Sequence, residues 1–217
     1  MQRMPYVSAG SRRGRRVALT FDDGPGPFTG RLVGVLRAHH VPATFFQVGQ
    51  MIAEFRGAGR DVERHFPVGD HTLSHPQMSR LTWRAQRFQV LAAAARLRGV
   101  EGARHPLLFR PPYASFDERT LEVLHRERML MVLWDVDSQD YTRPGVRQIV
   151  RNVVSEVRPG SIVLMHDAGG DRSQTVAALP RIVRKLRRRG YTFVTVPRMM
   201  LKSPPPRRQK LPRGAGR

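Results

Sequence analysis

Apolar, strand-like runs alternate regularly with helix-like segments along most of this chain. The runs are rich in β-branched, aromatic and aliphatic residues, which is typical of buried strands. They cover residues 17–21, 43–49, 68–72, 107–110, 129–134, 161–165 and 191–196. Strands that are apolar throughout and joined by helices indicate an α/β fold with a parallel sheet. Seven strand-helix units favour a closed or nearly closed barrel over a small open sheet, and a barrel places functional residues just after its strands.

The two ends of the chain differ in composition from this barrel domain. Residues 1–15 are polar, basic and Gly/Ser-containing, so we expect a flexible basic arm. Residues 201–217 contain three consecutive prolines and many cations, so we expect a disordered tail. Residues 16–200 then form one domain, and the 40% hydrophobic fraction of the chain supports one large core.

The chain contains no cysteine, so any metal must be held by histidine and carboxylate. No segment approaches 18 uninterrupted apolar residues, and we therefore expect no membrane span. The N-terminus also lacks the apolar stretch of an export signal. As the sequence stands, a cytoplasmic monomer is expected, whereas removal of a signal from a longer precursor would indicate a secreted or cell-envelope protein.

Positive charge dominates the composition, with 38 Lys and Arg against 17 Asp and Glu and a formal net charge of +21. The cations concentrate in residues 12–16, 181–189 and 202–217. This distribution predicts attraction to an anionic partner, such as a cell-wall polymer, through the surface rather than through an active site. No specific nucleic acid is expected.

Two adjacent carboxylates, Asp22 and Asp23, follow the first predicted strand and precede Gly24 and Pro25. Neighbouring residues on a strand point to opposite faces, so the two aspartates do different work unless the backbone bends there. One carboxylate could bind a metal while the other handles a proton. The alternative is a solvated turn.

Two histidines, His71 and His75, lie four residues apart after the third predicted strand, so one helical turn could direct both at one ion. Surface or capping histidines are the alternative. Together with Asp23 they provide two imidazoles and one carboxylate, the donor set of a catalytic rather than a structural zinc site. A set rich in imidazole and free of sulfur also suits cobalt or nickel.

Arg110 ends the fourth predicted strand and is followed by Pro111 and Pro112. Because proline has no N–H, the amide of Tyr113 is the first free donor after Arg110 and could face a developing oxyanion. Arg110 can hold a carboxylate, for which Asp22 is the natural partner. The alternative is a rigid loop with an exposed arginine.

His166 stands at the end of the strand-like run 161–165 and is suited to act as a general acid. Asp140 belongs to a cluster of carboxylates behind another apolar run and could tune the pKa of His166. Helix-capping aspartates and a core histidine are the alternatives.

These segments resemble the five ordered motifs of the polysaccharide deacetylases, which form carbohydrate esterase family 4 and carry the NodB-homology domain. The motif segments here are residues 20–25, 71–75, 110–113, 137–141 and 164–166, and the resemblance spans about residues 17–196. It implies a distorted (β/α)7–8 barrel and metal-dependent removal of N- or O-acetyl groups from sugar polymers.

The resemblance also implies a role for each motif residue. Asp22 would be the general base, His166 the general acid, Arg110 the residue that orients Asp22, and Asp140 the residue that sets the charge of His166. Asp23, His71 and His75 would bind the metal, and Tyr113, Pro111, Leu164 and Tyr141 would contact the substrate. Tyr141 replaces the tryptophan usual in the family, so we expect altered substrate fit rather than lost activity.

Two functions of different classes follow. The first is a zinc- or cobalt-dependent deacetylase acting on peptidoglycan or chitin-type oligosaccharide, with an O-acetyl xylan esterase as a variant that uses the same site. The second is a non-catalytic protein whose basic surface binds nucleic acid or another anionic polymer. The second does not explain why Asp22, His75 and His166 occur together with the other motif residues.

Overall fold

The computed structural model describes residues 6–98, 107–202, 205, 209–212 and 214–216. Within these residues the strands are β1 (Tyr6–Val7), β2 (Arg16–Asp22), β3 (Ala43–Gln47), β4 (Val68–Asp70), β5 (Leu108–Phe109), β6 (Leu130–Val132), β7 (Val136–Asp137), β8 (Ser161–His166) and β9 (Thr192–Phe193). The helices are α1 (Thr29–Ala38), α2 (Gly49–Glu54), α3 (Arg56–His65), α4 (Trp83–Arg98), α5 (Glu118–Arg126), α6 (Val146–Glu156), α7 (Ser173–Arg188) and α8 (Val196–Lys202).

The strands form one parallel sheet in the order β1-β6-β5-β4-β3-β2-β8-β7, and β9 pairs with the start of β2. Strand β6 lies next to one end of this order and β7 forms the other end, yet only residues 133–135 separate these two strands along the chain. The sheet therefore curls round on itself. This confirms the predicted distorted (β/α) barrel.

Strand β2 lies at the centre of the sheet and is buried on both faces, as its unbroken apolar run predicts. One core cluster lies between the sheet and helices α1, α3, α6 and α7, and a second lies under α4 and α5. The register places Asp22, the last residue of β2, beside Phe46 of β3 and His166 of β8. The carboxyl ends of the strands thus meet at one edge.

The prediction of a flexible arm over residues 1–15 is wrong for residues 6–9. Tyr6 and Val7 form β1, which pairs with Met131 and Val132, and the Val7 side chain is buried. A two-residue strand is too short to show any periodicity, so its burial depends on tertiary contacts. Residues 1–5 lie outside the described residues.

The prediction of a disordered tail over residues 201–217 is wrong for its described part. The side-chain oxygen of Gln209 accepts hydrogen bonds from the amides of Ser8 and Ala9, at 2.7 and 3.0 Å. The amide of Gly216 donates to the carbonyl of Ala114 at 2.9 Å. Backbone amides of the barrel and of the tail thus find acceptors across the contact, although the segment contributes little apolar surface. Residues 203, 204, 206–208, 213 and 217 lie outside the described residues.

Several strand ends differ from the sequence prediction. The strand expected over residues 43–49 ends at Gln47, the one expected over 129–134 covers Leu130–Val132, and the one expected over 191–196 stops at Phe193. Helix α8 begins at Val196. Pro197 fits its first turn, because the N–H groups there have no acceptor within the helix and proline has no N–H to satisfy. Among the described residues, no helix has the length and apolar composition needed to cross a membrane.

Candidate active site

A cleft of about 740 Å³ opens at the edge where the carboxyl ends of the strands meet. Nearly all of the residues that the sequence singles out lie there. Those in its lining are Asp22, Asp23, His71, His75, Pro111, Tyr113, Tyr141, Leu164 and His166. Arg110 and Asp140 are buried behind the lining and contact Asp22 and His166.

The backbone bends at Asp23, which has a φ of 74°. This left-handed conformation is uncommon for residues other than glycine, although Asp and Asn tolerate it best. It turns Asp23 away from the strand direction of Asp22, so both carboxylates line the same cleft. His75 and Tyr113 also have positive φ, at 61° and 58°. Such strained residues cluster at functional sites because the surrounding structure must hold them.

Gly169 packs against Asp23 in a way that no larger residue would allow. A Cβ atom at position 169 would lie 2.4 Å from Oδ2 of Asp23. The loop after β8 therefore covers one side of this carboxylate and limits the positions that Asp23 can take.

Asp23, His71 and His75 each offer a ligand atom, and these atoms all lie within 4.8 Å of one another. Nε2 of His75 is 3.1 Å from Oδ1 of Asp23, and Nε2 of His71 is 3.5 Å from the same oxygen. Oδ1 of Asp23 is buried and has no well-formed hydrogen bond among the described residues. Burial alone would raise the pKa of Asp23, but the two imidazoles and His166 hold that pKa well below its usual range.

The ring nitrogens of His71 are distinguished by a hydrogen bond. Its Nδ1 lies 2.7 Å from the backbone carbonyl of Arg110 and therefore donates a proton to that oxygen. Nε2 is then the nitrogen of His71 that faces Oδ1 of Asp23. A carbonyl partner on one ring nitrogen is a common feature of metal-binding histidines. The residues present thus fit a divalent cation bound between the two imidazoles and the carboxylate.

Asp22 is held by Arg110, whose guanidinium is completely buried. Nη1 of Arg110 donates to Oδ1 of Asp22 at 2.7 Å and to Oγ1 of Thr20 at 2.8 Å. Its other donors reach the carbonyls of Val132 and Leu133. Only one N–H of Arg110 therefore reaches the carboxylate. The Nε and Nη2 atoms of the guanidinium are held by the two carbonyls at the end of β6. Oδ2 of Asp22 lies 3.9 Å from Nε2 of His71.

Tyr113 lies in a 3-10 turn at Pro112–Ala114, and its side chain is 61% exposed at the rim of the cleft. Its hydroxyl lies 3.2 Å from Nδ1 of His75. Its backbone N–H has no acceptor among the described residues, whereas the amides of Ala114 and Ser115 are bonded within the turn. A free N–H at the mouth of the cleft can donate to a substrate oxygen.

His166 and Asp140 form a tightly connected buried pair. Nδ1 of His166 lies 2.7 Å from Oδ1 of Asp140, while Oδ2 accepts from the His166 amide at 2.9 Å and from the Thr175 hydroxyl at 2.7 Å. Burial disfavours the charged imidazole, but the Asp140 carboxylate outweighs this effect and raises the pKa of His166 to about 9. Although burial opposes it, the same pairing lowers the pKa of Asp140.

Tyr141 stands beside His166, with ring centroids 5.4 Å apart in an edge-to-face arrangement. Its hydroxyl donates to Oδ2 of Asp137 at 3.2 Å. Burial and then the Asp137 charge raise the pKa of Tyr141 to about 12, so the hydroxyl keeps its proton. Leu164 is nearly buried and lines the cleft beneath. An aromatic wall and an apolar floor thus border the two ionisable centres.

Several residues at the site were not assigned from the sequence, and three of them are Asp167, Trp134 and Arg172. Asp167 is buried, accepts a hydrogen bond from Thr29 at 2.5 Å and donates its amide to the Asp22 carbonyl at 3.1 Å. Trp134 and Arg172 line the cleft. All three follow strands of the sheet closely, so position alone could have indicated them. Only the structure reveals that they point toward the cleft or its support.

The polysaccharide deacetylase family model matches residues 9–132 of this chain. The matched region contains Asp22, Asp23, His71, His75 and Arg110. Asp140 and His166 lie beyond it, in a region that the full-length relatives cover.

Two curated relatives extend the similarity over most of the chain. A chitooligosaccharide deacetylase of Bradyrhizobium sp. (strain ANU 289) is 37% identical over 198 residues, covering 85% of this chain and 90% of that protein. A peptidoglycan-N-acetylglucosamine deacetylase of Bacillus cereus is 36% identical over 189 residues, covering 85% and 87%.

Solved structures agree with this similarity. A peptidoglycan N-acetylglucosamine deacetylase superimposes with a TM-score of 0.88 at 32% identity, covering 93% of this chain and 95% of that chain. A CE4 family pseudoenzyme from Bacillus anthracis superimposes with a TM-score of 0.83 at 27% identity, covering 89% and 68%. Both a deacetylase and a pseudoenzyme thus share this fold. The fold alone therefore does not show catalytic activity, and the argument for it depends on the site residues.

Proposed function

This chain belongs to the polysaccharide deacetylase family, and we propose that it hydrolyses the N-acetyl group of N-acetylglucosamine units in a polysaccharide, either peptidoglycan or chitin-type oligosaccharide. One observation carries the proposal. A single cleft holds a possible metal site, a carboxylate fixed by a buried arginine, and a histidine that Asp140 keeps protonated at neutral pH although burial opposes the charge. These are the three components that metal-assisted amide hydrolysis needs.

Asp23, His71 and His75 would hold a divalent metal, zinc or alternatively cobalt. Such an ion supplies Lewis-acid chemistry, because it polarises a carbonyl oxygen and makes water more acidic. The buried Oδ1 of Asp23, which lies within 3.5 Å of both imidazoles, and the carbonyl partner of His71 Nδ1 support this assignment.

Asp22 would act as the general base that takes a proton from the attacking water. Its partner Arg110 orients the carboxylate, since the guanidinium cannot rotate away from its bonds to the end of β6. The amide of Tyr113 would donate to the oxygen of the acetyl carbonyl as negative charge develops there. Pro111, Leu164 and Tyr141 would border the acetyl group and its sugar.

His166 would act as the general acid. Expulsion of the amine from the tetrahedral intermediate breaks the C–N bond, and the nitrogen takes up a proton from the imidazolium. The Asp140 carboxylate keeps that proton in place before the reaction and stabilises the charge. The products are acetate and a glucosamine unit.

The decisive experiment measures acetate release from N-acetylglucosamine oligomers and from peptidoglycan. The protein is first treated with chelator and then supplied with zinc or cobalt. We expect release to vanish with the metal and to return when either ion is added. The ratio of the two substrate rates then ranks the glycans.

Two histidine variants provide a matched pair for this assay. His75→Ala removes a proposed metal-binding imidazole, whereas His65→Ala removes an imidazole that faces Asp61 on α3, away from the cleft. We expect the first to abolish metal-dependent release and the second to retain it. Undiminished release by His75→Ala would refute the proposed site, and no release from either glycan by metal-loaded protein would refute the proposed reaction.

A further inference from the structure

Exposed cations on three neighbouring helices, α1, α6 and α7, are not balanced by acids. Glu156 is the only acidic residue of these helices. None of their cationic side chains forms an ion pair with a described carboxylate. The exposed cations are Arg31, Arg37, Arg147, Arg151, Arg181, Arg184, Lys185, Arg187 and Arg188.

A groove of about 530 Å³ runs between α6 and α7 and gathers several of these cations. Arg147 and Arg151 are four residues apart and therefore lie on the same face of α6. Arg181 and Lys185 repeat this spacing on α7. The full lining is Arg147, Val150, Arg151, Val154, Ser155, Arg181, Lys185 and Arg189. A groove with cations on both walls is suited to a linear polyanion.

The basic end of α7 lies far from the catalytic cleft. Nη1 of Arg15 donates to the carbonyl of Arg189 at 2.5 Å, and Arg15 directly precedes β2. Asp22 ends the same seven-residue strand, so the two ends are separated by roughly 20 Å at about 3.3 Å per residue. A polymer bound at the basic end therefore leaves the cleft open.

The chemistry of the face narrows the class of ligand. The large exposed hydrophobic residues of the described chain are Phe88, Leu107, Tyr113, Tyr141, Leu201 and Leu211, and none belongs to α1, α6 or α7. The face therefore offers no aromatic platform for nucleic-acid bases and no apolar side chains for insertion into lipid. Eight of its nine cations are arginines, whose planar fork matches phosphate oxygens.

We propose that the α6–α7 groove binds a linear phosphodiester polymer that carries no bases, with poly(glycerol phosphate) as the test ligand. The contacts are electrostatic, because four arginines and one lysine line the groove, whereas its only apolar residues are Val150 and Val154. Binding weakens with salt. By analogy with single-stranded nucleic acid, the logarithm of the binding constant falls with the logarithm of the salt concentration, with a slope of about 0.7 for each phosphate contact. This inference does not depend on the proposed hydrolysis.

The test measures the fluorescence anisotropy of labelled poly(glycerol phosphate) over a series of salt concentrations. The first variant combines Arg147→Gln, Arg151→Gln and Lys185→Gln in the groove. Its control combines Arg84→Gln, Arg96→Gln and Arg128→Gln, which removes three exposed charges from the region of α4 and α5. Both variants therefore have the same net charge.

We expect the groove variant to bind at least about tenfold more weakly and its logarithmic salt slope to fall by roughly 2, while the control stays close to wild type. The urea unfolding midpoint of the groove variant should be unchanged, which reports an intact fold. Equal losses in both variants would overturn the proposal, because net charge alone would then explain binding. Tighter binding of duplex DNA or of phosphatidylglycerol vesicles by the same groove would also overturn it, in favour of those partners.

Discussion

At the scale of single residues, the charge of Asp140 controls the proton of His166. The two side chains are 2.7 Å apart, and the carboxylate is almost completely buried. Solvent screens such a pair only weakly. The imidazole therefore carries its proton well above the ordinary range, at a pKa of about 9.

Asp140→Asn should shift the alkaline limb of the activity profile to lower pH. Without the carboxylate the pKa of His166 falls, so the imidazolium is lost earlier as pH rises, by about one pH unit or more. The measurement is kcat/KM against pH for a soluble N-acetylglucosamine oligomer. Thr175→Val is the control, because it removes a hydrogen bond to Asp140 without removing the charge. An unmoved alkaline limb in Asp140→Asn would contradict the assigned role.

Asp23→Asn should weaken metal binding without changing the strain of the backbone at residue 23. Asparagine tolerates the left-handed conformation at φ 74° about as well as aspartate, so the thermal stability of the metal-free protein should change little. Its amide lacks the charge that attracts a cation, so zinc affinity measured by calorimetry should fall at least about tenfold. Asp61→Asn, at an aspartate beside His65 on α3, should bind zinc as wild type does. Equal zinc affinity in Asp23→Asn would remove Asp23 from the metal site.

At the scale of elements, the short strand β1 supports the active site from a distance. The carbonyl of Val7 accepts a hydrogen bond from the Leu133 amide at 2.7 Å. The carbonyls of Val132 and Leu133 in turn hold the Arg110 guanidinium that orients Asp22. The position of Asp22 thus depends on a strand outside the regular strand-helix pattern.

Val7→Asp should therefore reduce both stability and activity. It places a carboxylate in a position where the side chain is 3% exposed, and the free energy of unfolding should fall by about 3 kcal/mol. Urea denaturation provides the measurement. Arg13→Asp, at an exposed position in the following loop, should change that free energy by less than about 0.5 kcal/mol. Similar unfolding midpoints for the two variants would show that β1 contributes little.

The same strand shows where prediction from the sequence succeeds and fails. The long apolar runs at β2 and β8 predict buried parallel strands, and hence place Asp22 and His166 at one edge. The two residues of β1 carry no periodic signal, and Gln209 is a single polar residue in a basic tail. Their docking depends on hydrogen bonds between segments about 200 residues apart, which local patterns do not encode.

Within the site, the sequence placed the ionisable residues but not the backbone that supports them. The left-handed conformation of Asp23 and the close approach of Gly169 follow from the loop after β8. The bonds from Arg110 to the end of β6 follow from curling of the sheet. Both depend on how distant segments meet, so a motif alone cannot predict them.

At the scale of the whole molecule, the net charge of +21 should oppose the compact state. Nine exposed cations on α1, α6 and α7 lack acidic partners among the described residues, so their mutual repulsion is not locally compensated. Added salt screens this repulsion over a Debye length of about 10 Å at 0.1 M ionic strength.

The melting temperature of metal-free protein at neutral pH should therefore rise with sodium chloride, by about 3 °C or more between low and moderate ionic strength. Differential scanning calorimetry provides the measurement. Sodium sulfate at matched ionic strength distinguishes screening from specific anion binding, since screening alone predicts similar shifts. A falling melting temperature would show that surface ion pairs contribute more to stability than self-repulsion removes.

The contact between residues near opposite ends of the described chain has a consequence for protein engineering. Because Gln209 bonds to Ser8 and Ala9, a short peptide can join the two segments without crossing the cleft. Circular permutation is thus geometrically feasible, with new termini opened at an exposed turn such as that at His40, after α1. The same proximity would let the barrel be inserted as a cassette into a surface loop of another protein.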